Sequence, residues 1–247
     1  MKIINVDAGN VGRHGFFCYM SKRKSPGYQR KLQWLEARFS EGMRIKLLEL
    51  PDRGFIEYIP GEFAWRTVDA KGYMFIHCLW IVGKSKGKGY ATALLDACVR
   101  DAKRAKLKGV AMVTSKGNWL VGSDLLERHG FERVAELHPS FSLMVRRFGR
   151  AEPPAFVDNQ AVMQRRFDKG LTVIRSDQCP YIEDATTTAL AAAEKAGITS
   201  RVVELSSAAD VRRLSPTPYG VFAIVLNGRL VSYHYMLEKD LLPLLRQ

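Results

Sequence analysis

No stretch of this chain approaches the ~20 consecutive apolar residues a membrane-spanning helix needs, so no helical membrane span is expected. Cysteine is scarce. Cys18, Cys78, Cys98 and Cys179 stand far apart without metal-ligand spacing, which argues against a disulfide scaffold or a zinc module. They read as thiols in a reducing cytoplasm. The opening MKIINVDAGNVGRHGFF lacks the apolar core and small-residue cleavage site of a signal peptide, so none is expected. Acidic residues are also short, but only in one part. Residues 1–150 hold 27 Lys and Arg against 14 Asp and Glu, a net of +13, whereas residues 151–247 hold 11 of each. A segment so basic expects an anionic partner such as nucleic acid, a membrane surface or a phosphorylated small molecule. The plain alternative is a lysine-rich solvated surface.

What is present is enough apolar material for one large domain or two small ones, at 47% of 247 residues. The charge step coincides with GRAEPPAF (149–156), whose paired prolines cannot continue a helix or a central strand. We therefore expect a domain at 1–150 and another at 151–247. In the first, YQRKLQWLEARFSEG has helical spacing stopped by Gly42, MRIKLLEL reads as a strand, and GFIEYIP and EFAWRTV read as paired strands around Pro60–Gly61. YMFIHCLWIV (73–82) reads as a strand buried on both faces, and Leu94, Leu95, Cys98, Val99 and Ala102 give the next helix one apolar face. GVAMVTS (109–115) is a second buried strand, which completes a βαβ unit with the two strands parallel. SDLLERHGF (123–131) reads as a helix ending at Gly130. In the second domain, LTVIRS and RVVELS read as strands flanking a helix in ATTTALAAAEKAG. FAIVLNGRLVSYHYM reads as a hairpin turned at Asn227-Gly228, and EKDLLPLLRQ as a helix limited by Pro243.

The densest signal is VGKSKGKGYATALLDAC (82–98), a cationic, glycine-rich corner directly before a helix. A helix start has N–H groups without intrahelical acceptors and the positive end of the helix dipole. Glycines let an anion approach that backbone, and Lys84, Lys86 and Lys88 add positive charge, so the corner suits a pyrophosphate. Two familiar phosphate loops fail. No Ser or Thr follows a Gly-Lys as G-x-x-x-x-G-K-[ST] demands. In G-x-G-x-x-G, Thr92 stands where the third Gly or Ala belongs.

The corner resembles instead the acetyl-CoA loop of the GNAT superfamily of N-acetyltransferases, whose pattern is Arg or Gln, two residues, Gly, one residue, then Gly or Ala. Here it reads Lys86-Gly87-Lys88-Gly89-Tyr90-Ala91 before Leu94-Leu95, with Lys86 a departure. The order of strand 73–82, loop, helix, strand 109–115, Asn118 and LLERHGF extends the resemblance over roughly residues 40–148. It implies a GNAT-type α/β fold, a mixed sheet with flanking helices, that binds acetyl-CoA. The pantetheine arm would pair with the backbone near Trp80, Ile81 and Val82. The pyrophosphate would sit on the amides of Lys86 to Ala91, and Asn118 would contact the arm or be a simple turn residue. The implied reaction is direct acetyl transfer to an amine, which needs a proton acceptor for the amine and a donor for the thiolate.

Many members place a Tyr as that donor, four residues before the Gly of the Gly-Phe turn; here the position is Leu126. For the acceptor, His77 lies on the strand expected to line the site, and imidazole suits proton transfer near neutrality. Its alternative is a hydrogen-bonded core histidine. Glu57 and Glu62, among Tyr58, Phe63 and Trp65, could receive a cationic amine between aromatic walls, or be exposed strand charges. Cys78 alternates away from His77 and is expected to pack.

In the second domain, SDQCPYIEDATTTAL places Cys179 after a strand at the start of a helix, which favours an exposed, reactive thiol. The order of elements resembles a small thioredoxin-like α/β fold, with Pro218 where that fold has its cis-proline loop. The second position of a Cys-x-x-Cys is Ile182, which excludes a dithiol cycle within one motif. Cys179 could form mixed disulfides or lie near the acetyl-transfer site, or the module could serve only packing or recognition. Joined to a GNAT domain with the strings GFIEYIPGE and HCLW, this tail resembles the YoaP-like group. The expected function is N-acetylation of a small-molecule amine, less so of a protein amine. The alternatives are a non-catalytic acyl-CoA sensor and a nucleic-acid binder. No helix-turn-helix, zinc-finger or RNA-binding aromatic signature accompanies the charge, so no nucleic-acid or membrane partner is expected. Oligomeric state is not legible.

Overall fold

The structure, a computed structural model, describes residues 1–116, 120–159 and 164–246. The chain divides into two compact units. The first holds Met1–Ser21, Leu35–Ala64 and Val68–Phe156; the second holds Lys22–Trp34, Trp65–Thr67 and Val157–Gln247. The unit that contains the C-terminal third therefore also takes in two short pieces from the first 70 residues.

The first unit is built on a seven-stranded mixed sheet. Its strands are β1 (Ile3–Val6), β2 (Arg44–Leu48), β3 (Gly54–Pro60), β5 (Tyr73–Ile81), β6 (Gly109–Ser115), β7 (Glu132–Leu137) and β8 (Phe141–Arg147), in the order β1-β2-β3-β5-β6-β8-β7. Every neighbour pair is antiparallel except β5 and β6. That parallel pair is joined by the helix Tyr90–Arg104, as the βαβ reading expects. We number the helices α1 (Val11–His14), α2 (Pro26–Phe39), α3 (Tyr90–Arg104) and α4 (Ser123–Glu127). The apolar face of α3 (Leu94, Leu95, Cys98, Val99 and Ala102) closes a core with Ile56 and Tyr58 of β3, Met74, Ile76 and Leu79 of β5, and Met112 of β6. Leu126 and Phe131 complete it from the α4 side.

A polar clamp holds α3 to the sheet within this core. The Tyr58 hydroxyl donates to Asp101 Oδ2 at 2.6 Å, while Lys46 Nζ and Arg44 Nη1 stand 3.0 and 3.1 Å from the same oxygen. Burial alone would raise the Asp101 carboxyl. The hydrogen bonds from Tyr58 and Lys46, with the charges beside it, outweigh that and hold it below the ordinary value. Burial, and then the charges it shares the site with, push the Tyr58 phenol up.

The expected pairing of GFIEYIP with EFAWRTV does not occur. Both edges of β3 are already occupied, by β2 and β5. After Pro60 the chain makes a 3-10 turn, Gly61–Phe63, and the only strand in the rest of the segment is the short β4 (Val68–Asp69), paired with β9 (Ala155–Phe156). Gly61 is required there by close approach: a Cβ would stand 2.0 Å from the Ala70 carbonyl oxygen. Trp65 belongs to the second unit, and Phe63 is 42% exposed.

The second unit has a four-stranded sheet ordered β11-β10-β12-β13. β10 (Leu171–Arg175) is parallel to β11 (Ser200–Glu204) and antiparallel to β12 (Phe222–Leu226), which pairs antiparallel with β13 (Arg229–Ser232). The hairpin turns at Asn227-Gly228 as expected, both residues having positive φ (48° and 77°), the combination a two-residue hairpin turn needs. Its helices are α5 (Ile182–Lys195), α6 (Ala208–Leu214) and α7 (Glu238–Leu245). Pro243 lies inside α7 rather than ending it. The Thr217–Pro218 bond is trans, where the thioredoxin resemblance implies cis.

Candidate active site

β5 and β6 do not stay together. Their ladder runs from Tyr73↔Gly109 to Ile76↔Met112 and stops, although β5 continues to Ile81 and β6 to Ser115. On its other edge β5 remains paired with β3 out to Gly54↔Ile81. The sheet therefore opens on the β6 side of residues 77–81. Backbone groups alternate sides along a strand. Val82 N–H donates to Arg53 C=O, so Val82 and Trp80 spend their backbone groups on β3. Leu79 and Ile81 turn theirs toward the opening. Of the three positions expected to meet the pantetheine arm, only Ile81 is so placed by this alternation, and Leu79 joins it.

The opening begins at a β-bulge. Glu57 lies opposite Cys78 and Tyr58 opposite Ile76, which leaves His77 as the extra residue. A bulge re-aims side chains, and here it breaks the alternation expected of Cys78. Ile76 and Leu79, three apart, both enter the α3 core, so His77 and Cys78 share the other face with Glu57. His77 Nδ1 lies 3.7 Å from Glu57 Oε1, with the residues 2% and 3% exposed. Cys78 is half-buried beside them. The structure thus brings together Glu57 and His77. It does not add Glu62, whose carboxylate accepts from Gly72 N–H, nor Tyr58, which faces the α3 core. The aromatic neighbours of Glu57 are instead Phe55, two residues along the same face, and Phe17, stacked on Phe55 with ring centroids 4.9 Å apart.

Beyond the opening lies the glycine corner. A 3-10 turn, Gly83–Ser85, leads to Gly87 and Gly89, both in left-handed backbone (φ 76° and 75°), with Gly89 the N-cap of α3. A Cβ at either glycine would meet nothing within 4 Å, so glycine is needed there for conformation and the space before the helix start is open. The N–H groups of Tyr90, Ala91 and Thr92 have no i−4 carbonyl in the helix. The Lys86 N–H is already donated to Gly83 C=O at 3.1 Å, which leaves the expected cradle to Gly87 through Ala91. Lys84, Lys86 and Lys88 are exposed around it. Two contacts fix the corner to the β2–β3 turn. Arg53 N–H donates to Ser85 Oγ at 2.9 Å, and Tyr90 hydroxyl donates to Asp52 Oδ2 at 2.8 Å. That second hydrogen bond raises the Tyr90 phenol. Sequence pattern gave no sign of the Tyr90–Asp52 link, since the partners are 38 residues apart.

Leu126, at the position where a Tyr would serve as proton donor, is fully buried in the core. Asn118 lies outside the described residues. Cys179 belongs to the second unit and is half-buried. It stands before α5 rather than in its first turn, its carbonyl accepting from Ile182 N–H at 3.1 Å. Next to it, Gln178 donates to Gly220 C=O and Ser176 Oγ, each at 2.8 Å, and accepts from Arg66. Among the described residues no group of three or more His, Cys, Asp or Glu could hold a metal ion, and no helix is long and apolar enough to cross a membrane.

A mixed sheet parted between its two parallel strands, with a helix N-terminus behind a glycine corner at the mouth, can pair an extended ligand along β5 and receive its anionic group at the helix start. Residues 17–131 match the Acetyltransferase (GNAT) family. The chain is 31% identical over 240 residues, 96% of its length and 95% of the relative's, to the Uncharacterized N-acetyltransferase YoaP of Bacillus subtilis (strain 168). Among solved structures, it aligns with aminoglycoside 6′-acetyltransferase type Ii at TM-score 0.45 and 14% identity, covering 62% of this chain and 100% of that one. A GNAT family acetyltransferase from Brucella melitensis in complex with acetyl-CoA aligns at TM-score 0.38 and 14% identity, covering 62% and 92%. Structural likeness at that level carries no assignment; the sequence relationship does. The chain belongs to the GNAT acetyltransferase family, and its reaction is acetyl-CoA-dependent N-acetyl transfer.

Proposed function

We propose that the chain passes acetyl directly from acetyl-CoA to the amine of a small molecule, with Glu57 and His77 as the proton-accepting pair. The observation that carries this is the pair itself, a buried carboxylate and an imidazole 3.7 Å apart at the bulge where β5 leaves β6. Acetyl-CoA supplies an activated thioester. The open space before α3 and the glycine conformations fit its pyrophosphate, held by the amides of Gly87 to Ala91 with Lys84, Lys86 and Lys88 around them. Backbone groups of Leu79 and Ile81 then orient the arm in the opening, with Trp80 and Val82 bracing the strand against β3. A nucleophilic amine must first lose its ammonium proton. Glu57 holds that ammonium, and His77 beside it receives or relays the proton. Leu126 can donate nothing, so proton delivery to the departing thiolate falls to water or to the acid formed on the pair. Stopped-time assay of coenzyme A release tests this: Glu57→Gln and His77→Ala should each slow turnover while leaving acetyl-CoA affinity in place.

The finer assignments are part of the same reading. The second unit is taken as thioredoxin-like, supported by its strand order and by Cys179 between β10 and α5. The division into domains at 1–150 and 151–247 is supported by the charge step and Pro153-Pro154. A cytoplasmic setting is supported by the four free cysteines. Cys179 is given a structural or separate redox role, since the proposed proton-accepting pair is complete without it.

A further inference from the structure

The face that carries Glu57 and His77 has a composition that speaks to the acceptor. Phe17 stacks on Phe55 at 4.9 Å with the rings 24° from parallel. Phe55 stands directly across the ladder from Trp80, so the three rings share one side of the sheet with Glu57. Phe55 is buried, whereas Phe17 and Trp80 are half-buried and offer ring surface. Phe17 also holds φ at +85°, a conformation that a bulky side chain rarely adopts. Its backbone is bent against local preference, and the bend lays the ring on Phe55.

Charge narrows the choice. Among the described residues of the first unit, Glu57 and Asp101 are the buried carboxylates. Asp101 is committed to Tyr58, Lys46 and Arg44 beside α3. Of these two, Glu57 is the one on the face with the rings. The Arg53 guanidinium lies 5.8 Å from the Phe17 ring and adds positive charge at the edge of the wall, in a segment already at +13. A polyamine or an aminoglycoside would bring several cations into that field, with one buried carboxylate to meet them. A monoamine finds its one counter-charge at Glu57 and lays its body on the rings.

We infer that the acceptor is a primary monoamine with an aromatic or bulky apolar body. This rests on the Glu57–His77 reading given above. The test measures coenzyme A release by the full chain at saturating acetyl-CoA with phenethylamine, tryptamine, spermidine and an aminoglycoside. It is run on wild type, Phe17→Gly, Phe55→Leu and Glu57→Gln. Glycine accepts the positive φ at 17, so that variant removes the ring without adding strain, and Phe55→Leu keeps the core filled. The arylalkyl amines should be the best substrates. Loss of the Phe17 ring should raise their KM about 3- to 10-fold, the worth of one aromatic contact, with kcat and acetyl-CoA affinity unchanged. Turnover confined to spermidine or the aminoglycoside, or absent with both monoamines, overturns the inference. If that polyamine turnover still falls in Glu57→Gln, only the acceptor class is wrong. If monoamine turnover ignores Glu57→Gln, the class stands and the proton-accepting pair is wrong.

Discussion

His77 Nδ1 and Glu57 Oε1 lie 3.7 Å apart at a β-bulge, both largely buried, where the parallel strands of the sheet separate. Neither residue is unusual alone. The bulge sets two residues of one strand, His77 and Cys78, opposite the single carboxylate of Glu57 on its neighbour.

From this pair we predict that His77→Ala and Glu57→Gln each lower kcat by about 100-fold or more, the usual contribution of a positioned proton acceptor. The double variant should be little worse than either single, because the two act as a unit. Steady-state coenzyme A release measures both, with calorimetry to verify that acetyl-CoA still binds. Additive losses would assign the residues separate roles.

The Tyr90–Asp52 hydrogen bond ties the first residue of α3 to the β2–β3 turn. Tyr90→Phe should weaken acetyl-CoA binding about 3- to 10-fold, the net worth of an ordinary solvent-accessible hydrogen bond, by loosening the corner rather than removing a direct contact. Asp52→Asn should do the same, and combining the two should add little. A double-mutant cycle on the calorimetric Kd reads this coupling.

The Asp101 clamp gives an acid limb to stability. Its folded carboxyl titrates below the ordinary value of 3.8. The group therefore contributes stability that is fully present above that value and is lost as the pH falls through it toward the folded one. Asp101→Asn should cost about 3 kcal/mol near neutrality, by leaving Lys46 and the buried end of the clamp uncompensated. It should also flatten the stability profile below about pH 4. Denaturant unfolding of both proteins across the acid range measures it.

Cys179→Ser should leave acetyl transfer within about twofold of wild type, since the proposed proton-accepting pair does not include it and a conservative swap at a half-buried position changes little. A larger loss at unchanged folding would bring the second unit into the reaction.

Much of this was legible in the sequence because local pattern carries it. The strand-corner-helix-strand run from 73 to 115 follows from apolar periodicity and two glycines, and the Asn227-Gly228 hairpin from its turn chemistry. Glu57 and His77 could be named as candidates from residue type. Their meeting could not, because it depends on the register in which two strands about 20 residues apart pair. The paired strands expected at 54–68 failed for a related reason: β3 had both edges taken by strands distant in sequence. Pattern likewise put Trp65 and Phe63 beside Glu57, whereas Phe17, nearly 40 residues earlier, supplies the ring. Tyr90 read as an ordinary helix residue, and only tertiary folding brings Asp52 to it.

The most direct test of the whole account is calorimetric titration of acetyl-CoA into the wild type and into Gly89→Val. Gly89 caps α3 at φ 75° with open space around it. A β-branched residue there must strain or abandon the left-handed cap, at about 1–2 kcal/mol or more, and so disperse the amides of the cradle. The account predicts tight binding by wild type and at least about a tenfold loss in the variant, with its unfolding transition nearly in place. Equal affinity in the two proteins, or no binding by wild type, would contradict it.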